Sequence, residues 1–141
     1  MTIGILGNNS YICNRFIEYI QDTKLNIIKI NCRTDSWKEF DFSSIEILLC
    51  PIGIAHISTN PSMESKYYAV NRDLPVAIAK HAKQAGVRQF VFFSSMIVYG
   101  ADKPIGNNYI INNDTLPAPE NFYGRSKLEA EQQLLRLQDQ S

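Results

Sequence analysis

Two short segments near the C-terminal end of the chain carry side chains that together can do acid–base chemistry on an alcohol or a ketone. Tyr123 and Lys127 are four residues apart at the start of a helical pattern, which places the phenol and the ammonium on one helix face. The positive charge favours the phenolate, the form that a tyrosine needs in order to act as a base near pH 7. Ser95, which follows an apolar run, adds a hydroxyl that can hydrogen-bond the reacting oxygen, with Ser94 as its substitute. The three side-chain types indicate carbonyl–alcohol redox chemistry.

Alternating apolar runs and helical patterns are the elements that must position these side chains, and the alternation is typical of parallel βα units. Strands are predicted over 3–6, 26–31, 45–50 and 88–93, with a short edge strand over 38–42. Helices are predicted over 11–22, 62–85 and 122–137. Pro75 lies within the second helical pattern, so we expect a kink or irregular turn near Asp73, and Gly86 should close that helix.

The fold class that these elements predict is α/β, with a Rossmann-like, doubly wound parallel sheet of order 3-2-1-4-5 in a single domain over 1–141. Ligands of such a sheet bind outside the carboxyl ends of the strands, at the point where the strand order reverses. Four residues fall at predicted strand ends: Gly7, Asn31, Cys50 and Ser95.

The composition excludes several classes of partner. Fourteen basic and fourteen acidic residues cancel, which gives no reason to expect nucleic acid or an anionic membrane surface. No apolar run approaches the ~18 residues that a membrane span needs, and Met1 to Leu6 has the pattern of a first strand, not of a secretory signal. Three widely spaced cysteines without a Cys-x-x-Cys pair favour a reduced, cytoplasmic setting, and we predict no metal site.

A strand followed by Ser94-Ser95-x-x-Val98-Tyr99-Gly100, and then by Tyr123-x-x-x-Lys127, resembles the extended short-chain dehydrogenase/reductase family of nucleotide-sugar epimerases, dehydratases and reductases. The likeness runs from Ile3 to about Leu137 and covers the cofactor-binding half of such an enzyme. The family continues with a further strand and a substrate-binding segment, which we expect this chain to lack.

The resemblance implies an NAD(P)-dependent enzyme that acts on a nucleotide-activated sugar by hydride transfer. Tyr123 would exchange a proton with the substrate, Lys127 would hold the nicotinamide ribose and favour the phenolate, and Ser95 would hydrogen-bond the reacting oxygen. The family's dehydratases commonly carry Asp-Glu where this chain has Met96-Ile97, which favours an epimerase or a reductase. The alternative is a catalytically incomplete cofactor-binding domain, a sensor or a fragment without activity of its own.

The family's Gly-x-x-Gly-x-x-Gly loop corresponds to Gly7, Ser10 and Cys13. Ser10 adds a Cβ where the phosphates should approach, although its hydroxyl can donate to a phosphate oxygen at a helix N-terminus. Cys13 is small enough to pack where the third glycine normally stands. Gly7 and Ser10 are predicted to contact the cofactor, together with Tyr11 and Ile12, which follow Ser10.

At the end of the second strand, where the family carries an acid that holds the adenosine ribose, this chain has Asn31 and then Arg33. Asn31 lacks the charge that repels a 2′-phosphate, and Arg33 can accept one. We therefore predict NAD or NADP as the cofactor, with a slight preference for NADP. A solvated loop arginine is the alternative for Arg33.

The remaining predicted cofactor contacts follow the strand over 45–50. Cys50, Pro51 and Ile52 stand where the family usually has His-Leu-Ala. Asn71 matches an asparagine that braces the family's active-site strands, and its alternative is an exposed helix asparagine. Both long helical patterns carry apolar stripes, so by the resemblance we expect a homodimer through them, with packing inside one chain as the alternative.

Overall fold

Four parallel strands form the sheet in the part of the chain that the structure describes, which is residues 1–7, 10–55, 60–100, 106 and 110–139 of a computed structural model. The strands are hydrogen-bonded in the order β2-β1-β3-β4, with every neighbouring pair parallel. Their bounds are Thr2–Leu6 (β1), Asn26–Ile30 (β2), Ile47–Cys50 (β3) and Gln89–Phe92 (β4). This order confirms the doubly wound, Rossmann-like α/β fold that the sequence predicts.

The α-helices are Tyr11–Tyr19 (α1), Glu64–Tyr68 (α2), Leu74–Gln84 (α3) and Phe122–Leu135 (α4). Short 3₁₀-helices span Asp35–Lys38, Pro61–Met63 and Met96–Tyr99, and a π-helical turn spans Ala69–Asp73. Among the described helices, none has the length and apolar content that crossing a membrane requires.

The chain divides into two compact units, which are described separately below. The sheet unit comprises Met1–Ile52 and Pro75–Phe93, and the helical unit comprises Gly53–Leu74 and Ser94–Ser141. In the sheet unit, Ile3 and Ile5 of β1 form a buried cluster with Cys13 of α1, against which Phe16 and Ile17 also pack. Burial of these apolar side chains fixes α1 beside the strand that precedes it.

The predicted edge strand over 38–42 is wrong. Asp35–Lys38 is a 3₁₀-helix, and the amides of Glu39 and Phe40 donate to the carbonyls of Ser36 and Trp37. These local bonds use the backbone groups that strand pairing would need. Aromatic packing also favours the observed conformation over a strand. The buried rings of Trp37 and Phe42 both contact His81, with centroid distances of 6.0 Å and 5.4 Å.

The irregular turn predicted near Asp73 is confirmed. The π-helical turn Ala69–Asp73 ends two residues before Pro75, whose nitrogen cannot donate a backbone hydrogen bond within the helix. Gly86 closes α3 as predicted. Its φ is +88°, its amide donates to Lys83, and the amide of Val87 donates to Ala82, which is the Schellman pattern.

Replacing Gly86 with Ala should destabilise the protein by about 1–2 kcal/mol, because an L side chain is strained at positive φ. A Cβ at this position would meet no atom within 4 Å, so the cost should be conformational and not steric. Urea unfolding measures the change. Gln84→Ala, at the exposed last residue of α3, is the control and should change the free energy of unfolding by less than about 0.5 kcal/mol. Equal stability of the two variants would contradict the prediction.

Candidate functional site

Gly7, directly after β1, and Ser10, directly before α1, are the described residues of the predicted fingerprint loop. Gly7 has a φ of +97°, and its amide donates to the carbonyl of Ile30 at 2.8 Å. Ser10 is the N-cap of α1, where its hydroxyl accepts a bond from the amide of Cys13 at 3.5 Å. Cys13 is buried, with its thiol 3.7 Å from the carbonyl oxygen of Leu6. The first glycine of the fingerprint is therefore needed for its conformation, and a thiol fills the third position within the core.

Tyr11 and Ile12 lie in the first turn of α1, and both side chains are exposed. The first amides of a helix have no partner within the helix, so this turn presents donors of the kind that bind phosphate oxygens. The Tyr11 ring also receives the Arg15 guanidinium, 5.4 Å from its centroid. Ser10 carries a Cβ and its hydroxyl caps the helix, and contact of this turn of α1 with a pyrophosphate stays a prediction.

The end of β2 carries the two residues predicted to choose between NAD and NADP. Asn31 and Arg33 are both exposed, and the Asn31 side-chain oxygen accepts a bond from the Arg33 amide at 3.0 Å. This bond uses one of the two lone pairs of the Asn31 oxygen. The Arg33 guanidinium lies on the surface, where a phosphate can reach it.

Cys32, between these two residues, has no part in the sequence-based site. Burial raises the pKa of its thiol to about 11, although a hydrogen bond from the Gly7 backbone acts in the opposite direction. The thiol is therefore protonated near neutral pH and forms a neutral wall beside the Gly7 turn. Its only signal in the sequence is its place two residues after the end of β2.

The end of β3 contains the remaining predicted cofactor contacts of the sheet unit. Cys50 is buried, and its carbonyl accepts a bond from the Phe93 amide at 3.1 Å. Pro51 and Ile52 follow it and are half-buried. The segment is thus apolar, and its contact with the cofactor stays a prediction.

In the helical unit, Asn71 lies in the π-helical turn and is completely buried. Its side-chain oxygen accepts a bond from the Ile54 amide at 2.7 Å, and its amide nitrogen donates to the Ile54 carbonyl at 3.2 Å and to the Ser126 hydroxyl at 3.1 Å. The alternative of an exposed helix asparagine is therefore wrong. Asn71 holds the backbone that follows Gly53.

Lys127 is also buried, with 3% of its surface exposed. A Cβ built on Gly53 would lie 3.0 Å from the Lys127 ammonium nitrogen and 3.3 Å from the Asn71 side-chain oxygen. A side chain at position 53 would therefore require these groups to move by a few tenths of an ångström. Gly53 and Ser126 are site residues that sequence reasoning missed, since their contacts join segments far apart in the chain.

Tyr123 lies one turn before Lys127 on α4 and is half-buried, with its ring centroid 6.5 Å from that of the buried Tyr67. Asn121 caps the helix, because its side-chain oxygen accepts a bond from the Gly124 amide at 2.9 Å. The first turn of α4 packs closely on the 3₁₀-helix Met96–Tyr99. A Cβ on Gly124 would lie 2.9 Å from the Ile97 carbonyl oxygen.

Ser95 is the N-cap of that 3₁₀-helix, and its hydroxyl accepts a bond from the Ile97 amide at 3.4 Å. It is half-buried, whereas Ser94 is exposed. Ser95, Tyr123 and Lys127 thus belong to one unit, in which the helix capped by Ser95 packs against the turn that carries Tyr123. Among the described residues, no group of three or more His, Cys, Asp or Glu side chains is arranged to hold a metal ion.

A glycine of positive φ directly after β1 and a Tyr-x-x-x-Lys segment at the start of α4 agree with the result of comparing whole sequences. Residues 5–141 match the sequence model of the NAD-dependent epimerase/dehydratase family. The chain belongs to this family. Its membership also confirms the predicted resemblance to the extended short-chain dehydrogenases/reductases, of which these enzymes form part.

Individual family members are similar to the chain over part of their length. The UDP-glucose 4-epimerase of Vibrio cholerae is 34% identical over 110 residues, which are 77% of this chain and 32% of that enzyme. The chain therefore spans about a third of the length of this curated relative.

Two solved structures share the fold. The structure of MoeE5 in complex with UDP-glucose and NAD has a TM-score of 0.79 at 19% identity and is matched over 96% of this chain and 48% of its own. The Bacillus anthracis dTDP-4-dehydrorhamnose reductase, in complex with NADP, has a TM-score of 0.75 at 19% identity, over 98% of this chain and 50% of its own.

Replacing Asn71 with Ala should lower the free energy of unfolding by about 1–3 kcal/mol, because buried groups of Ile54 and Ser126 lose their partner. Chemical denaturation measures the loss. Asn14→Ala removes the same side chain from the exposed surface of α1 and should cost less than about 0.5 kcal/mol. An Asn71 variant as stable as the Asn14 variant would contradict the bracing role.

Proposed function

We propose that this chain supplies the cofactor-binding and proton-transferring part of an NAD(P)-dependent epimerase or reductase that acts on a nucleotide-activated sugar. The observation that carries the proposal is the buried Lys127, one helix turn from Tyr123 and beside Gly53 and Asn71. Support for the substrate class comes from the similar proteins, which include a UDP-glucose 4-epimerase and a protein solved with UDP-glucose and NAD.

The position of Lys127 favours a role in chemistry. Lysine is almost never fully buried unless acceptors or opposite charges receive its ammonium. Under the proposal, Lys127 acts together with Tyr123, which lies one helix turn before it. Lys127 would also hydrogen-bond the nicotinamide ribose.

Tyr123 would take a proton from the sugar hydroxyl, or return one to the carbonyl, and Ser95 would hydrogen-bond the same oxygen. The nicotinamide, when bound, supplies hydride acceptance and donation at its C4 position. Ser95 is followed directly by Met96 and Ile97, and neither side chain is a carboxylate that could assist the removal of water. An epimerase or a reductase is therefore favoured over a dehydratase.

The residues proposed to hold the dinucleotide are those that the sequence predicts. The Gly7 turn and the first turn of α1, with Ser10, Tyr11 and Ile12, would receive the pyrophosphate. Asn31 and Arg33 would receive the adenosine ribose. The other proposed contacts are Cys50, Pro51, Ile52, Asn71, Tyr123 and Lys127.

A preference for NADP is part of the proposal. The Asn31 side-chain oxygen is engaged by the Arg33 amide, and Arg33 has an exposed guanidinium. A neutral residue at this position does not repel a 2′-phosphate, and a guanidinium can form charge-assisted bonds with one.

A second function, binding of the cofactor without catalysis, is favoured by one observation. The Ser10 hydroxyl caps α1, and its Cβ stands where a glycine normally lets the phosphates approach. Weakened binding is compatible with a sensor or with a domain that has lost its reaction. The two functions differ in what they require of Tyr123.

We also propose that the protein forms a homodimer through α2, α3 and α4. On α4, Leu135 is 63% exposed, and Leu128 and Leu134 are only half-buried. Apolar side chains on this helix support a contact with a second subunit.

A reduced, cytoplasmic setting is the proposed location. Cys13, Cys32 and Cys50 are all free thiols in the sheet unit, and two of them are buried. Unpaired thiols are usual where the surroundings keep cysteines reduced.

Calorimetric titration with NADPH and NADH tests the cofactor proposal. NADPH should bind more tightly, and Arg33→Ala should weaken NADPH binding by roughly 10-fold, since one charge-assisted contact is worth about 1.5 kcal/mol, with little effect on NADH. Arg136→Ala, at an exposed arginine that follows α4, is the matched control. Equal affinities for the two cofactors, unchanged by Arg33→Ala, would contradict the NADP preference. The absence of binding to either cofactor would contradict the proposed function.

Tyr123→Phe separates catalysis from binding. In the full-length protein that carries this sequence, it should lower kcat on a UDP-sugar by about 10²–10⁴-fold, because the proton-transferring hydroxyl is removed. The cofactor dissociation constant should change by less than about 3-fold, which is a change in binding free energy well under about 1.4 kcal/mol. Tyr19→Phe, at a tyrosine that is 88% exposed, should leave both quantities unchanged. Turnover that survives Tyr123→Phe would favour the second function.

A further inference from the structure

A buried hydrogen-bond chain joins Asn71 to the turn of α4 that carries Tyr123 and Lys127. The Asn71 side-chain nitrogen donates to the Ser126 hydroxyl at 3.1 Å, and that hydroxyl donates to the Tyr123 backbone carbonyl at 2.9 Å. Asn71 and Ser126 both have 0% of their surface exposed. Bulk water therefore cannot replace either bond when it is lost.

The backbone of Ile54 fixes the direction of this chain. The Asn71 side-chain oxygen accepts from the Ile54 amide, and its nitrogen donates to the Ile54 carbonyl. If the Asn71 amide were turned over, its oxygen would face the Ile54 carbonyl oxygen and its NH₂ group would face the Ile54 N–H, so neither hydrogen bond could form. The Ser126 oxygen must then accept from Asn71, and its single hydrogen is directed to Tyr123.

Serine at position 126 is not explained by helix formation. Alanine is the better helix former, and a buried hydroxyl is tolerated only where it is hydrogen-bonded. Here the hydroxyl is both donor and acceptor, so it links two segments that lie 55 residues apart. The link ends at the carbonyl of the proposed proton-transferring residue.

We propose that Ser126 is a positioning residue for Tyr123 and Lys127. Through Asn71, it ties their helix turn to the segment Gly53–Ile54, on which the Lys127 ammonium lies. Geometry matters here because a misplacement of about 1 Å can cost 10²-fold in rate. The inference rests on the proposed function, since Tyr123 and Lys127 act on a substrate only under that function.

The first test is Ser126→Ala in the full-length protein, assayed with a UDP-sugar and the cofactor. We expect kcat to fall by about 10-fold while KM for the sugar changes by less than about 2-fold, as for a contribution realised mainly in the transition state. Ser126→Cys keeps a weak donor and acceptor of similar shape and should recover part of the loss. Ser65→Ala, at an exposed serine of α2, should leave kcat and KM unchanged.

A second test asks whether Ser126 acts through Asn71. If it does, Ser126→Ala should reduce kcat much less in an Asn71→Ala background than in the wild type, because residues that act as a unit are not additive. Independent, additive effects would overturn the proposed linkage. Unchanged kcat in Ser126→Ala would overturn the positioning role.

Hydrogen exchange of the Ile54 amide keeps the inference separate from the proposed function, because it needs neither substrate nor cofactor. Ser126→Ala should speed this exchange by about 10-fold relative to Ser65→Ala, since Asn71 loses one of its anchors. An unchanged rate would overturn the link even in an active enzyme.

Wild-type protein without turnover on any UDP-sugar would instead contradict the proposed function, and faster Ile54 exchange in Ser126→Ala would then still support the link. If Ser126→Ala does not fold, slower turnover and faster exchange in Ser126→Cys would support the inference, and wild-type values would overturn it.

Discussion

Burial of the Asn71 amide is the constraint on which the helical unit depends. A buried amide requires a partner for its oxygen and for its nitrogen, and both requirements are met by fixed groups: the backbone of Ile54 and the hydroxyl of Ser126. Meeting them brings Gly53 against the Lys127 ammonium, so closely that a Cβ at this position would lie only 3.0 Å from the ammonium nitrogen. The π-helical turn that contains Asn71 is therefore tied to the helix that carries the proposed chemistry.

The sheet unit meets a different demand, which is to turn sharply from β1 into α1. Gly7 adopts a positive φ that other residues rarely adopt, while Cys13 occupies the third fingerprint position by joining the apolar core. Two of the three customary glycines can thus be replaced without loss of the fold. What the replacements change is the surface offered to a phosphate, where Ser10 adds a side chain and uses its hydroxyl as a helix cap.

The strand order, the helix limits and the irregular turn before Pro75 could be predicted because each depends on local periodicity or on the covalent restriction of one residue. Local periodicity could not show that the strand over 38–42 is wrong, because aromatic residues suit a strand. The rings of Trp37 and Phe42 instead pack on His81, which lies far along the chain. The same limit applies to the site. Tyr123 and Lys127 are recognisable from their spacing, whereas the contacts of Asn71 with Ile54 and Ser126 span 17 and 55 residues. Only folding brings those groups together.

The state of the thiols has a practical consequence for spectroscopy. Cys13 and Cys50 are buried, and Cys32, with a pKa of about 11, holds only about 10⁻⁴ of its population as thiolate at pH 7. Maleimides and methanethiosulfonates react with the thiolate, so all three native cysteines should label slowly in the folded protein. A spin label or fluorophore can then be attached to one introduced surface cysteine while the natural thiols, including the one beside the Gly7 turn, stay in place.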